Sequence, residues 1–192
     1  NKEGFIICEE LISVDLCNSI VAAFNNEILP YTGVLLRSTS AKKEKHQLSE
    51  SGMMTNPILQ IQDLKSARFP KFQRLALNAL GSASVQNTIN DLLEAEPILI
   101  QSVFYHTSMG TAPHEDSHYF DSEDGRMLGC WIALENIDEK AGRFYVYPKT
   151  HNLNKMKDET QELTELYKDY INCSLEVIRS YKNPKGNPAQ IK

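Results

Sequence analysis

The sequence predicts an α+β domain in which helices come first and an antiparallel β-sheet follows. Before Pro97, apolar residues recur every three or four positions, which is the period of an amphipathic helix. From Ile98 to Tyr147 the apolar pattern changes to that of strands. Turns rich in Asp and Gly interrupt this second region, so the strands are expected to run back and forth as a meander.

Composition limits the possible partners and the cellular compartment. The 192 residues are 41% apolar, which suits one domain spanning residues 1–192. A net charge of −5 argues against a nucleic-acid or anionic-membrane partner, and no apolar run reaches membrane-spanning length. The four cysteines are scattered and form no Cys-x-x-Cys motif, so we expect reduced thiols in a cytoplasmic protein.

Residues 1–96 are expected to be mainly helical. Gly4 to Cys8 suits a short strand, and Ser13 can cap a helix that closes at Pro30. A second helix is predicted over Pro70 to Leu80, because Pro suits a first helical turn and Gly81 can end the helix.

Two further features complete this first part. Ser84 can cap a third helix, and the apolar stripes of the helices predict core packing. Residues 37–57 are polar and basic without a periodic pattern, so we expect a mobile, solvated loop. The functional alternative is a lid that binds an anionic substrate group.

Residues 97–150 are expected to form the sheet. Strands are predicted over Ile98 to Tyr105, Met127 to Ile137 and Phe144 to Tyr147, with turns at residues 121–125 and 138–142. Such a meander is consistent with a jelly roll. Residues 151–192 are expected to add a helix near residues 158–171 and a final loop with no further strand.

His114 and Asp116 stand two residues apart between the first two predicted strands. On an extended backbone, residues with this spacing point to the same face, so an imidazole and a carboxylate are offered to one point. They would be two thirds of the 2-His-1-carboxylate triad that holds non-haem Fe(II). A local His–Asp hydrogen bond on a surface strand also explains the pair, which is a weak signal by itself.

The flanking motifs strengthen this signal. They are His114-Glu115-Asp116, then Trp131-Ile132-Ala133-Leu134-Glu135, then Pro148-Lys149-Thr150-His151. In order and spacing, this stretch resembles the phytanoyl-CoA dioxygenase family. The sequence departs from the family pattern at Lys149, where Gly is usual, and at Glu115, where Gln is usual.

The resemblance implies a double-stranded β-helix, or jelly-roll, core with flanking helices. It implies Fe(II) as cofactor and 2-oxoglutarate and dioxygen as co-substrates. His114 and Asp116 would be the metal ligands, and the reaction would hydroxylate an unactivated C–H bond of a small organic or acyl substrate. Because the family's halogenating relatives lack the carboxylate, Asp116 favours hydroxylation.

The same resemblance suggests roles for four other residues. Gln101 and Trp131 are expected to contact the co-substrate, although Trp131 suits a core aromatic equally well. Tyr105 and His118 are expected to face the substrate. His106 is expected to be only a loop histidine, and Arg143 a solvated cation.

The third iron ligand is not expected to be His151, because the corresponding family histidine does not bind iron. The family's distal His and the Arg that pairs with 2-oxoglutarate lie later, so both are expected beyond Lys192. Open sheet edges would then make oligomer formation plausible. The alternatives are an inactive jelly-roll binding protein or fragment, and a cupin-like metal enzyme that uses no 2-oxo acid.

Overall fold

The computed structural model describes residues 3–107, 110, 114, 116, 119–120, 126–138, 141 and 144–146, and the backbone of 189–190. The chain divides into two compact units, one of Glu10–Asn136 and one of Asn1–Glu9 with Ile137–Lys192. The larger unit contains three helices and four two-residue strands: α1 Val14–Ala23, β1 Leu35–Leu36, β2 Lys43–Glu44, β3 Ile58–Leu59, α2 Pro70–Leu80, α3 Ala83–Leu93 and β4 Val103–Phe104.

The first helix begins where the sequence predicts. The Ser13 hydroxyl accepts a hydrogen bond from the amide of Leu16 and so satisfies one of the free donors at the helix start. After Ala23 the helix widens into a π-helical turn, Phe24–Ile28, that the sequence does not foretell. Among the described helices, none combines the length and apolarity needed to cross a membrane.

The four strands lie side by side in the order β2-β1-β3-β4, with every pairing antiparallel. Leu36 pairs with Lys43, and Ile58 pairs with Phe104. A single bridge between Arg37 and Ile58 joins the β1–β2 pair to the β3–β4 pair. One cross-strand row therefore contains Arg37, Ile58 and Phe104, and neighbouring positions point to the opposite face.

The π-helical turn after α1 and helix α2 cover the face that carries this row. The Phe104 ring stacks on Phe24 at 4.8 Å and meets Phe72 edge-on at 4.9 Å. Phe24 and Phe72 are 2% and 0% exposed, so these rings form the centre of the core. The other face of β4 carries Gln101 and Tyr105, and both are exposed.

Most of residues 37–57 are exposed or half-buried, as expected of a solvated loop, but the segment contains β2 and a few buried residues that the sequence did not predict. Arg37 is fully buried in the row that faces the helices. Its guanidinium donates to the carbonyl oxygens of Glu44 and Asn56 and contacts the Met54 sulfur and the His46 ring. An arginine held in this way is not available to bind an anionic substrate group, so the lid hypothesis is wrong for Arg37.

The starts of α2 and α3 are capped by side chains. Pro70 is in the first turn of α2, as predicted, and the Glu27 carboxylate accepts from the amides of Lys71 and Phe72. Ser82, not Ser84, caps α3, because its hydroxyl accepts from the Val85 amide.

Two predicted strands are shorter than expected or not formed. Of the strand over Ile98 to Tyr105, only Val103–Phe104 is paired, and Ile98 is 84% exposed. Met127 to Ile137 pairs with no strand in the described part of the chain. Its residues are half-buried or exposed, with Leu134 packed against the core and Trp131 exposed. The apolar pattern of these two segments therefore predicted neither continuous strand pairing nor full burial, since Ile98, Leu99 and Ile100 are all exposed.

In the smaller unit, β5 Tyr145–Val146 pairs antiparallel with β6 Ala189–Gln190. The expected strand over Phe144 to Tyr147 is thus confirmed where it is described, and the expected final loop contains a strand that was missed. The predicted turn is present at Asp138, whose carbonyl accepts from the Ala141 amide at 3.0 Å. The described part of Gly4 to Cys8 is not a strand.

The predicted helix over residues 158–171 and the predicted turn over residues 121–125 lie outside the described residues. Within the described residues the strands form three two-stranded pairings and no closed barrel. The α+β class and the helix-covered sheet therefore agree with expectation, and the complete jelly roll stays a prediction.

Candidate metal site

The side chains of His114 and Asp116 converge, as the sequence predicts. The His114 Nε2 atom lies 3.4 Å from the Asp116 Oδ1 atom. The two side chains are 38% and 49% exposed, so a ligand can reach them from solvent. The arrangement offers an imidazole nitrogen and a carboxylate oxygen to one accessible point.

The backbone that produces this convergence is a turn, not the expected strand. Asp116 has 3₁₀-type geometry, and its carbonyl oxygen accepts from the amides of Tyr119 at 2.9 Å and Phe120 at 3.1 Å. These two hydrogen bonds fix the backbone of Asp116 relative to the residues that follow it. The spacing of two residues was therefore informative, but through a local turn.

The donor pair fits an octahedral metal ion in chemistry and in spacing. Metal–ligand bonds of about 2.1 Å at a right angle place two donor atoms about 3.0 Å apart. The observed 3.4 Å lies close to that value and can contract by a small side-chain rotation. Among the described residues, no third His, Cys, Asp or Glu joins the pair to make a three-ligand group.

Tyr119 holds the imidazole in place, a contact that the sequence analysis missed. Its ring meets the His114 ring edge-on, with the centroids 5.5 Å apart and the planes at 81°. Such edge-to-face contacts restrict ring rotation and are favourable by about 0.5–1.5 kcal/mol. The turn at Asp116 supplies the position, because the same turn brings the backbone of Tyr119 back toward Asp116.

Gly129 lies against the carboxylate, and it was also missed. A β-carbon placed on Gly129 would stand 3.0 Å from the Asp116 Oδ2 atom. The Gly129 backbone thus forms one wall of the carboxylate's position. This contact joins two residues that are thirteen positions apart and lie in no described strand, so no sequence pattern could have shown it.

Tyr105 lies on the open face of the sheet, within electrostatic range of the candidate site. Burial raises the pKa of its hydroxyl, and the nearby Asp116 charge raises it further. The hydroxyl therefore keeps its proton at physiological pH and is available as a hydrogen-bond donor. Tyr105 thus lies close enough to Asp116 to feel its charge, and its contact with substrate stays a prediction.

The other expected site residues are less closely defined. Gln101 is exposed and lies two residues before β4, whereas Tyr105 directly follows β4. Trp131 is 39% exposed and follows Gly129 by two residues, which does not agree with a buried core aromatic. His118, His151 and Arg143 lie outside the described residues.

His106 is more than the loop histidine that was expected. Its ring packs against Phe24 with centroids 4.8 Å apart, and its Nδ1 atom accepts from the Met54 amide. Burial lowers the pKa of the imidazole, while the Glu135 charge acts in the opposite direction. His106 therefore ties the end of β4 to the helix-covered core next to Tyr105.

Comparison with known proteins decides the family. The family model for phytanoyl-CoA dioxygenase (PhyH) matches residues 1–182. The chain belongs to the phytanoyl-CoA dioxygenase family. This family has a cupin-like fold and consists generally of Fe(II)- and 2-oxoglutarate-dependent oxygenases.

Two curated relatives carry the same name, phytanoyl-CoA dioxygenase domain-containing protein 1. The Bos taurus protein is 26% identical over 183 residues, which cover 78% of this chain and 62% of the relative. The Danio rerio protein is 30% identical over 88 residues, which cover 43% of this chain and 29% of the relative. The chain therefore spans less than two thirds of these relatives. No solved structure gives a significant match.

Proposed function

We propose that this chain contributes the metal-binding segment of an Fe(II)- and 2-oxoglutarate-dependent dioxygenase that hydroxylates a small organic or acyl substrate. The observation that carries the proposal is the 3.4 Å approach of His114 Nε2 and Asp116 Oδ1, inside a chain of the phytanoyl-CoA dioxygenase family. The spacing suits two neighbouring positions of an octahedral ion, and both side chains are open to solvent.

Each residue around the pair has a defined task in this proposal. His114 and Asp116 hold the metal, and Tyr119 restricts rotation of the imidazole. The protonated Tyr105 hydroxyl would donate a hydrogen bond to the substrate. Gln101 and Trp131 would contact 2-oxoglutarate, and His118 would face the substrate. Bound iron with 2-oxoglutarate and dioxygen would supply the oxidising chemistry.

The sheet supports a jelly-roll arrangement around this site. One face of β4 is closed by aromatic packing on the π-helical turn and α2, while Tyr105 follows β4 on the opposite face, where the charge of Asp116 acts on its hydroxyl. In a jelly roll the covered face would be the outside of the barrel and the open face its interior. Completing the barrel would surround the metal pair and exclude water from the reaction.

The test is an anaerobic titration of the chain with Fe(II) and 2-oxoglutarate, followed by the weak visible charge-transfer band. We expect metal binding that Asp116→Ala abolishes, because the variant loses a charged ligand. Succinate release that depends on 2-oxoglutarate would separate this function from that of a cupin-like enzyme with no 2-oxo acid. A chain that binds neither component would support an inactive binding protein instead.

The same titration tests the third ligand, which stays a prediction. Our expectation is that His151→Ala leaves metal affinity unchanged. A tight one-to-one complex that is lost in His151→Ala would make His151 the third ligand and contradict the expectation that it lies beyond Lys192.

A further inference from the structure

Gly129 lies so close to the Asp116 carboxylate that any side chain at position 129 would crowd it. An added β-carbon at Gly129 would stand 3.0 Å from Oδ2, which is closer than ordinary van der Waals contact. The atom it meets is the end of a side chain, and that side chain is 49% exposed. The carboxylate can therefore rotate away toward solvent, and the backbone does not need to move.

The backbone conformation of Gly129 does not itself require glycine. The glycines with positive φ in the described residues are Gly4, Gly52 and Gly110, and Gly129 is not among them. An alanine can therefore adopt the local conformation without strain. What glycine supplies at this position is space beside the carboxylate.

We propose that Gly129 is a positioning residue for the metal site, because its missing side chain lets Asp116 point its carboxylate toward His114. The inference rests on the proposed function, since it takes Asp116 to be a metal ligand. A methyl group at position 129 would push Oδ2 outward and turn Oδ1 away from the point that it shares with His114 Nε2.

The expected effect separates stability from metal affinity. The displaced carboxylate is exposed, so Gly129→Ala should leave the melting temperature almost unchanged. Groups that orient metal ligands typically change metal affinity by about 10- to 100-fold when they are mutated. We therefore expect Gly129→Ala to raise the dissociation constant for the metal about 10- to 100-fold while the protein stays folded.

Gly81 offers a matched control. An added β-carbon there would stand 3.1 Å from the Leu77 carbonyl oxygen, which is a contact of similar closeness at the end of α2. Its φ of −94° is also compatible with alanine. Gly81→Ala should therefore leave metal affinity at the wild-type value, whatever it does to the melting temperature.

The experiment uses Mn(II) alone as the probe and the whole chain. Electron paramagnetic resonance of free Mn(II) gives the dissociation constants of wild type, Gly129→Ala, Gly81→Ala and Asp116→Ala, and it also detects weak binding. In metal-free protein, the ¹³C shift of the Asp116 carboxyl group reports its surroundings. A nuclear Overhauser effect between the α-protons of Gly129 and the β-protons of Asp116 reports the contact in wild type.

The inference is supported if Gly129→Ala alone of the two glycine variants weakens Mn(II) binding and shifts the Asp116 carboxyl signal. Equal Mn(II) affinity of Gly129→Ala and wild type would overturn it, as would an unfolded Gly129→Ala chain or a missing Overhauser effect. If Asp116→Ala binds Mn(II) as well as wild type does, the proposed metal site itself is wrong. A shifted carboxyl signal would then show that the contact exists without that role.

Discussion

Lowering the pH should destabilise the protein through His46, which lies between Arg37 and the end of the π-helical turn. The Arg37 Nη2 atom is 2.7 Å from His46 Nδ1, and His46 Nε2 is 2.8 Å from the Ile28 carbonyl oxygen. A guanidinium can only donate, so Nδ1 must accept and Nε2 must carry the proton. Protonating Nδ1 would remove the acceptor and set two cations against each other.

Stability falls at low pH because folding lowers the pKa of His46. Burial lowers the pKa of His46 from the ordinary value of 6.5, the hydrogen bond to Ile28 acts in the opposite direction, and the Arg37 charge lowers it again. Below pH 6.5 the unfolded chain therefore binds a proton that the folded protein resists. Stability is complete above that pH and falls as the pH drops toward the folded pKa.

The number of protons taken up on unfolding limits how much stability can be lost for each pH unit. One proton taken up on unfolding changes the free energy of unfolding by at most about 1.4 kcal/mol for each pH unit. His106, whose pKa is also lowered by burial, contributes in the same direction over the same range. Wild type can therefore lose up to twice that amount for each pH unit below 6.5.

The assay is urea unfolding at several pH values between about 7.5 and 5.5, where carboxylates contribute little. Gln in place of His46 keeps an acceptor and a donor but does not titrate. In His46→Gln, the free energy of unfolding should therefore depend less steeply on pH, by the contribution of one proton. His106→Gln measures in the same way the contribution of His106 to the pH dependence of stability. Equal slopes for wild type and His46→Gln would refute the reasoning, because His46 would then titrate alike in both states.

Other perturbations test the packing around the sheet. Glu27→Gln should cost about 1 kcal/mol, because a charged acceptor at the start of α2 becomes neutral, and urea unfolding measures it. Ser82→Ala should cost about 1 kcal/mol through loss of the α3 cap, whereas Ser84→Ala should cost less, which would reverse the assignment made from sequence. Phe104→Ala should cost about 3–5 kcal/mol, since two ring contacts in the core are lost, and a much smaller value would contradict the packing.

The helices were predictable because their signals are local. Ser13 and Pro70 act within one turn of their own positions, and the apolar stripes repeat over a few residues. The fully buried Arg37 was not predictable, because a polar and basic segment normally indicates solvent. Its burial depends on acceptors brought by distant residues, such as the carbonyl of Asn56 and the ring of His46.

The candidate site was predictable in part for the same reason. His114 and Asp116 are close in sequence, so their spacing carried information even though the backbone forms a turn where a strand was expected. Gly129 lies thirteen positions after Asp116, and only the folded structure shows that contact. Tyr119 lies five positions after His114 and meets it through the turn that begins at Asp116, so this contact also depends on the folded backbone.

Successive side chains along and after β4 point alternately to the core and to the candidate site. Phe104 is fixed between Phe24 and Phe72, so the next residue, Tyr105, must point to the opposite face. The residue after Tyr105, His106, points back to the core, and its ring packs against Phe24. The residues before and after Tyr105 are thus both fixed by ring packing in the core. The position of Tyr105 therefore depends on the helical residues that cover the opposite face of the sheet. A substitution that loosens this aromatic cluster should therefore disturb the candidate site without changing His114 or Asp116.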